Sequence, residues 1–93
     1  MEAPISITQR AQEEIKNILT KKGIPEDYQL RVSVKGAGCG VSFKLGFDTK
    51  KENDEEFTVG DIPVLVRKHE MMFLIGKQIE FYDETDGRGF LFV

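Results

Sequence analysis

The fold is decided by one stretch, Val34-Lys35-Gly36-Ala37-Gly38-Cys39-Gly40-Val41-Ser42-Phe43-Lys44-Leu45-Gly46-Phe47. Apolar residues occupy every second position on both sides of its centre, which predicts two half-buried strands over residues 29–36 and 40–48. Glycines at alternate positions allow backbone angles that other residues resist, so the chain can reverse between the strands. We therefore expect a hairpin with Cys39, the only cysteine, at its tip, near the surface and free of any disulfide.

Cys39 is the main candidate for a functional residue. A thiolate is a good ligand for soft metals and for iron–sulfur clusters, although a cluster usually takes four protein ligands. A single cysteine is also commonly a small buried hydrophobic residue without chemistry. A Cys–His nucleophile pair would require Cys39 to meet His69, the only histidine, and nothing in the spacing brings them together.

Length and composition exclude several classes of protein. A chain of 93 residues favours a single domain over 1–93. The net charge of −3, with acids and bases mixed, argues against a nucleic-acid partner. No apolar run is long enough to cross a bilayer, and the first residues do not resemble a signal peptide. One cysteine cannot form an internal disulfide, so we expect a reducing, cytoplasmic setting.

Outside the central hairpin, the chain predicts one helix and further strands. Apolar residues at helical spacing, a Thr8 cap and a terminating Gly23 predict an amphipathic helix over 8–22, after a loose lead-in at 1–5. The charged run 48–56 predicts a solvated loop. An alternative there is an oxygen-ligand metal site, although the EF-hand spacing is absent; its candidates are Glu52, Asp54, Glu55 and Glu56.

The last third predicts a strand over 62–66 that is covered on both sides, a helical turn that ends at Gly76, and strands over 78–82 and 89–93. The second of these is apolar enough to be central or two-sided. The fold class is therefore mostly β (α+β), with two similar strand motifs in a compact sheet and an N-terminal helix over one face. The residues expected to be mostly buried are Ile15, Ile18, Leu19, Val32, Val34, Phe43, Leu45, Val64, Phe81 and Phe92.

The stretch from Leu30 to Asp48 resembles the HesB-like, or A-type iron–sulfur carrier, family. The opening 5–8 before a helix and the later segments 62–66, 73–76, 79–81 and 89–92 fall in the family's order. The resemblance implies a HesB-like half-barrel fold and an iron–sulfur assembly or carrier protein that is not an enzyme. It implies iron–sulfur assembly proteins or apo-acceptor proteins as partners, and often a homodimer.

This sequence departs from the family pattern at the ligands. Family carriers have one cysteine in the glycine loop, which Cys39 matches, and a Cys-x-Cys near the C-terminus, which these residues lack. The loop is also one residue short, because the family has a Ser between the cysteine and the next glycine. With one thiolate per chain, any iron–sulfur cluster or iron would be held between subunits, with Cys39 contributed by each of two. The other positions would come from small thiols, from a partner or from a weak ligand such as His69. The alternatives are a cluster-free interaction module with no cofactor and, third, a thiol-dependent enzyme.

Overall fold

The structure is a computed structural model that describes residues 3–21, 23–37, 40–85 and 87–93. Within these ranges it contains seven strands and two α-helices, with a 3-10 turn at Lys68–Glu70 before the second helix. In chain order the elements are β1 (Ile5–Ile7), α1 (Gln9–Lys21), β2 (Gln29–Ala37), β3 (Gly40–Asp48), β4 (Asp54–Val59), β5 (Ile62–Arg67), α2 (Met71–Leu74), β6 (Lys77–Glu84) and β7 (Gly87–Phe92).

The strands form two mixed sheets. The smaller has the order β1-β6-β7, with β1 parallel and β7 antiparallel to β6. The larger has the order β3-β2-β5-β4, in which β2 and β5 are parallel and the outer pairs are antiparallel. The mostly β (α+β) class with two strand motifs is confirmed. We call β2–β3 the first hairpin and β6–β7 the second hairpin.

The helix α1 lies where the sequence predicts it, within one residue at each end. Its first turn is capped by Thr8, whose Oγ1 accepts from the Ala11 N–H at 3.3 Å. After it, Gly23 takes a positive φ of 67°, which is favourable for glycine. The helix packs on β6 and buries Ala11 and Ile15 in the core.

The core lies between the helix and the two sheets, and some of its fully buried residues differ from those predicted. Of the ten residues predicted to be mostly buried, Ile15, Val32 and Val64 are fully buried, while the other seven are half-buried. Many of those seven lie on edge strands or late in the helix, where one side remains open to solvent. The fully buried set is instead completed by residues such as Leu30, Ile62, Leu65, Val66, Leu74 and Ile79.

Two expectations about the ends of the chain are wrong. The predicted lead-in contains Ile5, which is buried in β1 and pairs with Lys77 of β6. The last strand, β7, is an edge strand rather than a central one, and its outward Leu91 is 49% exposed. By contrast, β5 is covered on both sides as predicted, since Val64, Leu65 and Val66 are all fully buried. Within the described ranges, no helix is long and apolar enough to span a membrane.

Candidate functional site at the first hairpin

The first hairpin extends beyond the sheet that supports it. Its strands pair in register from Gln29 with Asp48 to Ala37 with Gly40. Pairing of β2 with β5, however, ends at Val32. We call the part beyond this point, residues 33–37 and 40–44, the arm. Its two strands are joined by Gly38-Cys39, and the predicted position of Cys39 lies outside the described residues. Its placement near the surface therefore stays a prediction.

The inner face of the arm packs against the smaller sheet. Val34 and Phe43 are directly paired and therefore lie on the same face. The Phe43 ring stacks on Phe92 of β7, with 5.1 Å between ring centroids and 23° between planes. The Lys77 ammonium lies 5.5 Å from the centroid of the Phe43 ring. These contacts hold one side of the arm against the body of the protein.

A buried carboxylate holds the arm at its base. Glu70, at the end of the 3-10 turn, is 7% exposed, and its Oε1 accepts the Val34 N–H at 3.1 Å. Because β5 no longer pairs with β2 at this level, the carboxylate replaces a missing strand partner. Its Oε2 lies 3.9 Å from Arg67 Nη1 and 3.7 Å from His69 Nε2. Sequence reasoning missed Glu70, since nothing marks a lone Glu in a helical turn as a strand cap.

His69, which a Cys–His pair would require to meet Cys39, is exposed. Its side chain is 74% accessible, as expected from its charged neighbours. Its Nε2 lies 3.7 Å from Glu70 Oε2. The Cys39–His69 meeting itself involves a residue outside the described ranges, so it stays untested.

The opposite end of the hairpin contains a buried ion pair. Arg31 of β2 donates from Nη1 to Asp54 Oδ1 at 2.8 Å and from Nη2 to Asp54 Oδ2 at 2.5 Å. It also donates to Asp48 Oδ2 at 3.2 Å and to the Thr49 carbonyl at 3.3 Å. Since β3 and β4 lie at opposite edges of their sheet, the segment 49–53 must pass β2 and β5. Arg31 therefore holds both ends of that segment, through Asp48 and Thr49 at one end and Asp54 at the other.

This pair corrects the expectation for residues 48–56. The predicted solvated loop is wrong for its last three residues, because Asp54 begins β4 and is 4% exposed. The hydrogen bond from Arg31 is the main cause that lowers the pKa of Asp54 to about 2, and the hydrogen bond to Asp54 raises the pKa of Arg31. The backbone N–H of Thr49 chiefly lowers the pKa of Asp48.

The alternative of an oxygen-ligand metal site in this run is not supported. Asp54, one of its four candidates, uses both carboxylate oxygens on Arg31. Across the described ranges, His, Cys, Asp and Glu do not gather in groups of three or more that could hold a metal ion. The acidic run therefore has a structural role at Asp54.

A second polar cluster joins α1 to the second hairpin on the surface. Glu14 accepts from Arg10 at 3.1 Å and from Arg88 at 3.2 Å, while Asp83 lies 3.5 Å from Arg10 and 3.8 Å from Arg88. Both guanidinium groups lie over the Phe81 ring, at 4.8 and 5.4 Å from its centroid. Sequence reasoning missed this cluster, because Arg88 is 74 residues away from Glu14 in the chain.

The outer face of the arm is polar and positively charged. Ser33 pairs with Lys44 and Lys35 pairs with Ser42, so these four side chains share one face. Both lysines are exposed. The neighbouring Lys35 side chain, first by hydrogen bonding and then by its charge, lowers the pKa of Lys44. The arm thus combines an apolar inner face, a cationic outer face and the Gly38-Cys39 connection at its end.

Comparison with known proteins gives a consistent result at the level of the whole chain. The family model for iron–sulphur cluster biosynthesis matches residues 3–92. The ErpA protein of Burkholderia multivorans, named for iron–sulfur cluster insertion, is 32% identical over 94 residues, covering 98% of this chain and 75% of its own. The ErpA protein of Burkholderia mallei is 33% identical over the same shares of both chains.

Solved structures show the same fold. Escherichia coli SufA, described as involved in the biosynthesis of iron–sulfur clusters, superposes with a TM-score of 0.80 at 24% identity, over 96% of this chain and 78% of that one. IscA with a [2Fe-2S] cluster gives a TM-score of 0.72 at 18% identity, over 96% and 80%. A protein from Aquifex aeolicus gives 0.73 at 28% identity, over 100% and 93%.

Proposed function

Since this chain belongs to the iron–sulphur cluster biosynthesis family, we propose that it carries an iron–sulfur cluster as cargo on the thiolate of Cys39. The role in cluster biosynthesis follows from the family. The ligand assignment is our proposal, and one observation carries it. Cys39 belongs to the two-residue connection between strands that pair up to Ala37 and from Gly40.

The surroundings of the connection support a ligand role. Glu70 and the Phe43–Phe92 stack fasten the arm at two points, so the strands that lead to Cys39 have a fixed direction. A ligand that is held in place loses less conformational freedom when it binds metal. Lys35 and Lys44 are two and four strand steps from the last described pair, Ala37–Gly40, which is about 7–13 Å along a strand. Positive charge on the arm would attract an anionic cluster, although only weakly at this distance because exposed charges are screened.

The number of thiolates sets the stoichiometry. One cysteine per chain is available among these 93 residues, whereas an iron–sulfur cluster usually takes about four ligands. The cluster therefore lies between two copies of the chain, each contributing Cys39. The remaining positions are filled by small thiols, by a partner protein or weakly by His69. A cluster with so few protein ligands is labile, as cargo must be.

The remaining parts of the proposal follow from the carrier role. The protein delivers its cargo to apo-acceptor proteins and receives it from assembly proteins, without catalysing a reaction. Two copies associate at least while the cluster is bound. The thiolate requires a reducing compartment such as the cytoplasm.

The test is anaerobic reconstitution with iron, sulfide and a small thiol, followed by visible absorbance, iron analysis and sedimentation. We expect at most one cluster per two chains and a cluster-dependent shift from monomer to dimer. Cys39→Ser should abolish both signals. Ser42→Ala changes a hydroxyl on the same arm and is the matched control, which should load like the wild type.

Three results would contradict the proposal in different ways. Tight iron binding that survives Cys39→Ser would exclude the thiolate as the ligand. No cluster under conditions that load a three-cysteine family member would favour the alternative, a cluster-free interaction module. Rapid alkylation of Cys39 with a strong pH dependence, together with turnover of an electrophilic substrate, would instead indicate a thiol enzyme.

A further inference from the structure

The charges of the chain are divided unevenly between the arm and the rest. The protein has a net charge of −3, yet no Asp or Glu occurs between Asp27 and Asp48. The basic residues in that interval are Arg31, Lys35 and Lys44. Arg31 is neutralised by Asp54 and Asp48. The net positive charge of the first hairpin therefore comes from the two lysines of the arm.

These two lysines are neighbours on one face, and no described residue gives either of them an acidic partner. Their cross-strand register places them diagonally on the outer face of the arm. Among the described residues, neither ammonium has a carboxylate within 4 Å, whereas Lys16, Lys51 and Lys68 each do. The lowered pKa of Lys44 has Lys35 as its main cause, which agrees with two like charges in proximity. A carboxylate placed between them would relieve this repulsion.

The side chains between the lysines leave room for an approaching surface. Ser33 and Ser42 are small, and the Ser42 hydroxyl donates to the Lys35 carbonyl at 3.2 Å. The outer face of the arm is thus a flat, polar ribbon with a positive charge on each strand. It resembles neither an apolar groove nor a closed pocket.

We propose that this outer face, formed by Ser33, Lys35, Ser42 and Lys44, docks an acidic surface of a protein that exchanges cargo with Cys39. That the docking protein exchanges cargo with Cys39 rests on the proposed function. That its docking surface is acidic is inferred from charge complementarity. A protein that takes a ligand from Cys39 must approach this arm. Carboxylates on its surface would steer that approach and orient it.

Two other occupants are less favourable. A second copy that met this face symmetrically would bring four ammonium groups together, and such like-charge contacts oppose association. A nucleic acid would find two unpaired lysines here and a net negative charge over the chain, which is too little neutralisation for phosphate binding. The favoured partner is therefore an acidic protein surface.

The experiment uses metal-free protein and a hexaglutamate peptide as the probe, followed by ¹⁵N NMR. We expect shifts of arm amides from residues 33–36 and 42–44, which disappear at high salt because exposed charges are screened. Lys35→Gln/Lys44→Gln should weaken the apparent affinity roughly fivefold or more, since exposed pairs each contribute modestly. The matched control is Lys21→Gln/Lys50→Gln, which removes the same charge from exposed positions elsewhere and should change it less than about twofold.

Each other outcome overturns the proposal. Shifts spread over all surface lysines, or an equal loss in the control variant, would show general attraction without a docking face. Equal binding of a single-stranded oligothymidylate of the same charge would show that the face does not select carboxylates. Failure here is distinguishable from failure of the proposed function, because the titration uses no cluster. Lys35→Gln/Lys44→Gln keeps Cys39, so its reconstitution tests the ligand role separately.

Discussion

The two hairpins of this protein use ion pairs in different environments. In the first hairpin, Arg31 is buried and holds Asp54, whose side chain is 1% exposed. In the second hairpin, Arg88 is 57% exposed and contacts Glu14 and Asp83 at the surface. Among the described residues, Arg10 and Arg88 together make four ion pairs and Arg31 makes two, but water screens the charges of the exposed arginines. Burial, rather than the number of ion pairs, should decide which hairpin depends on its charges.

The largest expected difference comes from removing the arginine of each hairpin. Arg31→Met leaves Asp54 buried and unpaired, which should cost about 3–5 kcal/mol of the free energy of unfolding. Arg88→Met is the matched variant and should cost less than about 1 kcal/mol, because Arg88 and Asp83 are exposed and Glu14 keeps its ion pair with Arg10. Urea unfolding followed by circular dichroism measures both.

A double variant tests the physical reason for that difference. Arg31→Met/Asp54→Leu removes both charges, so it should recover much of the stability that Arg31→Met loses. If Arg31→Met were no more destabilising than Arg88→Met, the idea that burial decides the contribution would be wrong.

The second prediction concerns acid. The pKa of Asp54 falls from an ordinary 3.8 to about 2 in the folded protein. A carboxyl with a lower pKa in the folded state stabilises the fold above its unfolded pKa, and this stability is lost as pH falls through the folded pKa. The window is therefore about pH 4 down to pH 2, with a loss of about 2 kcal/mol from this group.

Asp54→Asn isolates this contribution. The difference in free energy of unfolding between wild type and Asp54→Asn should be large at pH 6 and shrink as pH falls from 4 to 2. The lowered pKa of Asp48 adds loss of the same sign, but it is common to both proteins. A difference that stays constant across this window would contradict the ion-pair account.

The same contrast explains what the sequence can predict. Strand β3 was predicted with its bounds, because alternation over nine residues is a local signal that does not depend on a partner. Strand β1 was missed, since three residues carry little pattern and β6, its partner, is about 70 residues away. The start of β4 was missed for a related reason, because Asp54 looks solvated until Arg31 is placed beside it.

The candidate site divides in the same way. Cys39 and the glycines around it are a local motif, and the family resemblance that they carry is confirmed by the match over residues 3–92. Glu70, Arg31–Asp54 and the Lys35–Lys44 face depend on sheet order and register, which one sequence does not reveal. Local alternation therefore predicted the hairpin. It did not predict the contacts that hold the hairpin in place or the face on which its lysines lie together.

The third prediction concerns the anchor of the arm. Glu70→Ala removes the acceptor of the Val34 N–H, whereas Glu70→Gln keeps an oxygen at the same place. The local cost of Glu70→Ala should be about 1–2 kcal/mol, so hydrogen exchange at Val34 should speed up roughly tenfold or more. In Glu70→Gln it should stay close to wild type.

The second hairpin supplies the internal reference for this measurement. Amides of β6 and β7 do not contact Glu70 in the described hydrogen-bond network, so their exchange should not change in either variant. Equal acceleration in both hairpins would indicate global destabilisation and would contradict a local anchor.

The smallest expected effects come from the two aromatic pairs. Phe43 and Phe92 stack at 5.1 Å and join the two hairpins, while Phe81 and Phe90 meet edge to face at 5.0 Å within the second hairpin. Double-mutant cycles to Ala should give a coupling free energy of about 0.5–1.5 kcal/mol for each pair. Because Phe43 is half-buried, its single substitution should cost less than the roughly 3–5 kcal/mol of a buried Phe.

Even when the two coupling free energies are similar, the two pairs should differ in which amides exchange faster after a ring is removed. Phe43→Ala and Phe92→Ala each remove the contact of the arm with the smaller sheet, so exchange should accelerate at arm amides such as Val34 and Lys35. Phe81→Ala and Phe90→Ala should leave those amides unchanged, since their rings meet inside one hairpin. If all four variants affected the arm equally, the stack would not be what joins the hairpins. Accelerated exchange confined to the first pair would identify Phe43–Phe92 as the contact that fixes the arm and, with Glu70, the direction in which it presents Cys39.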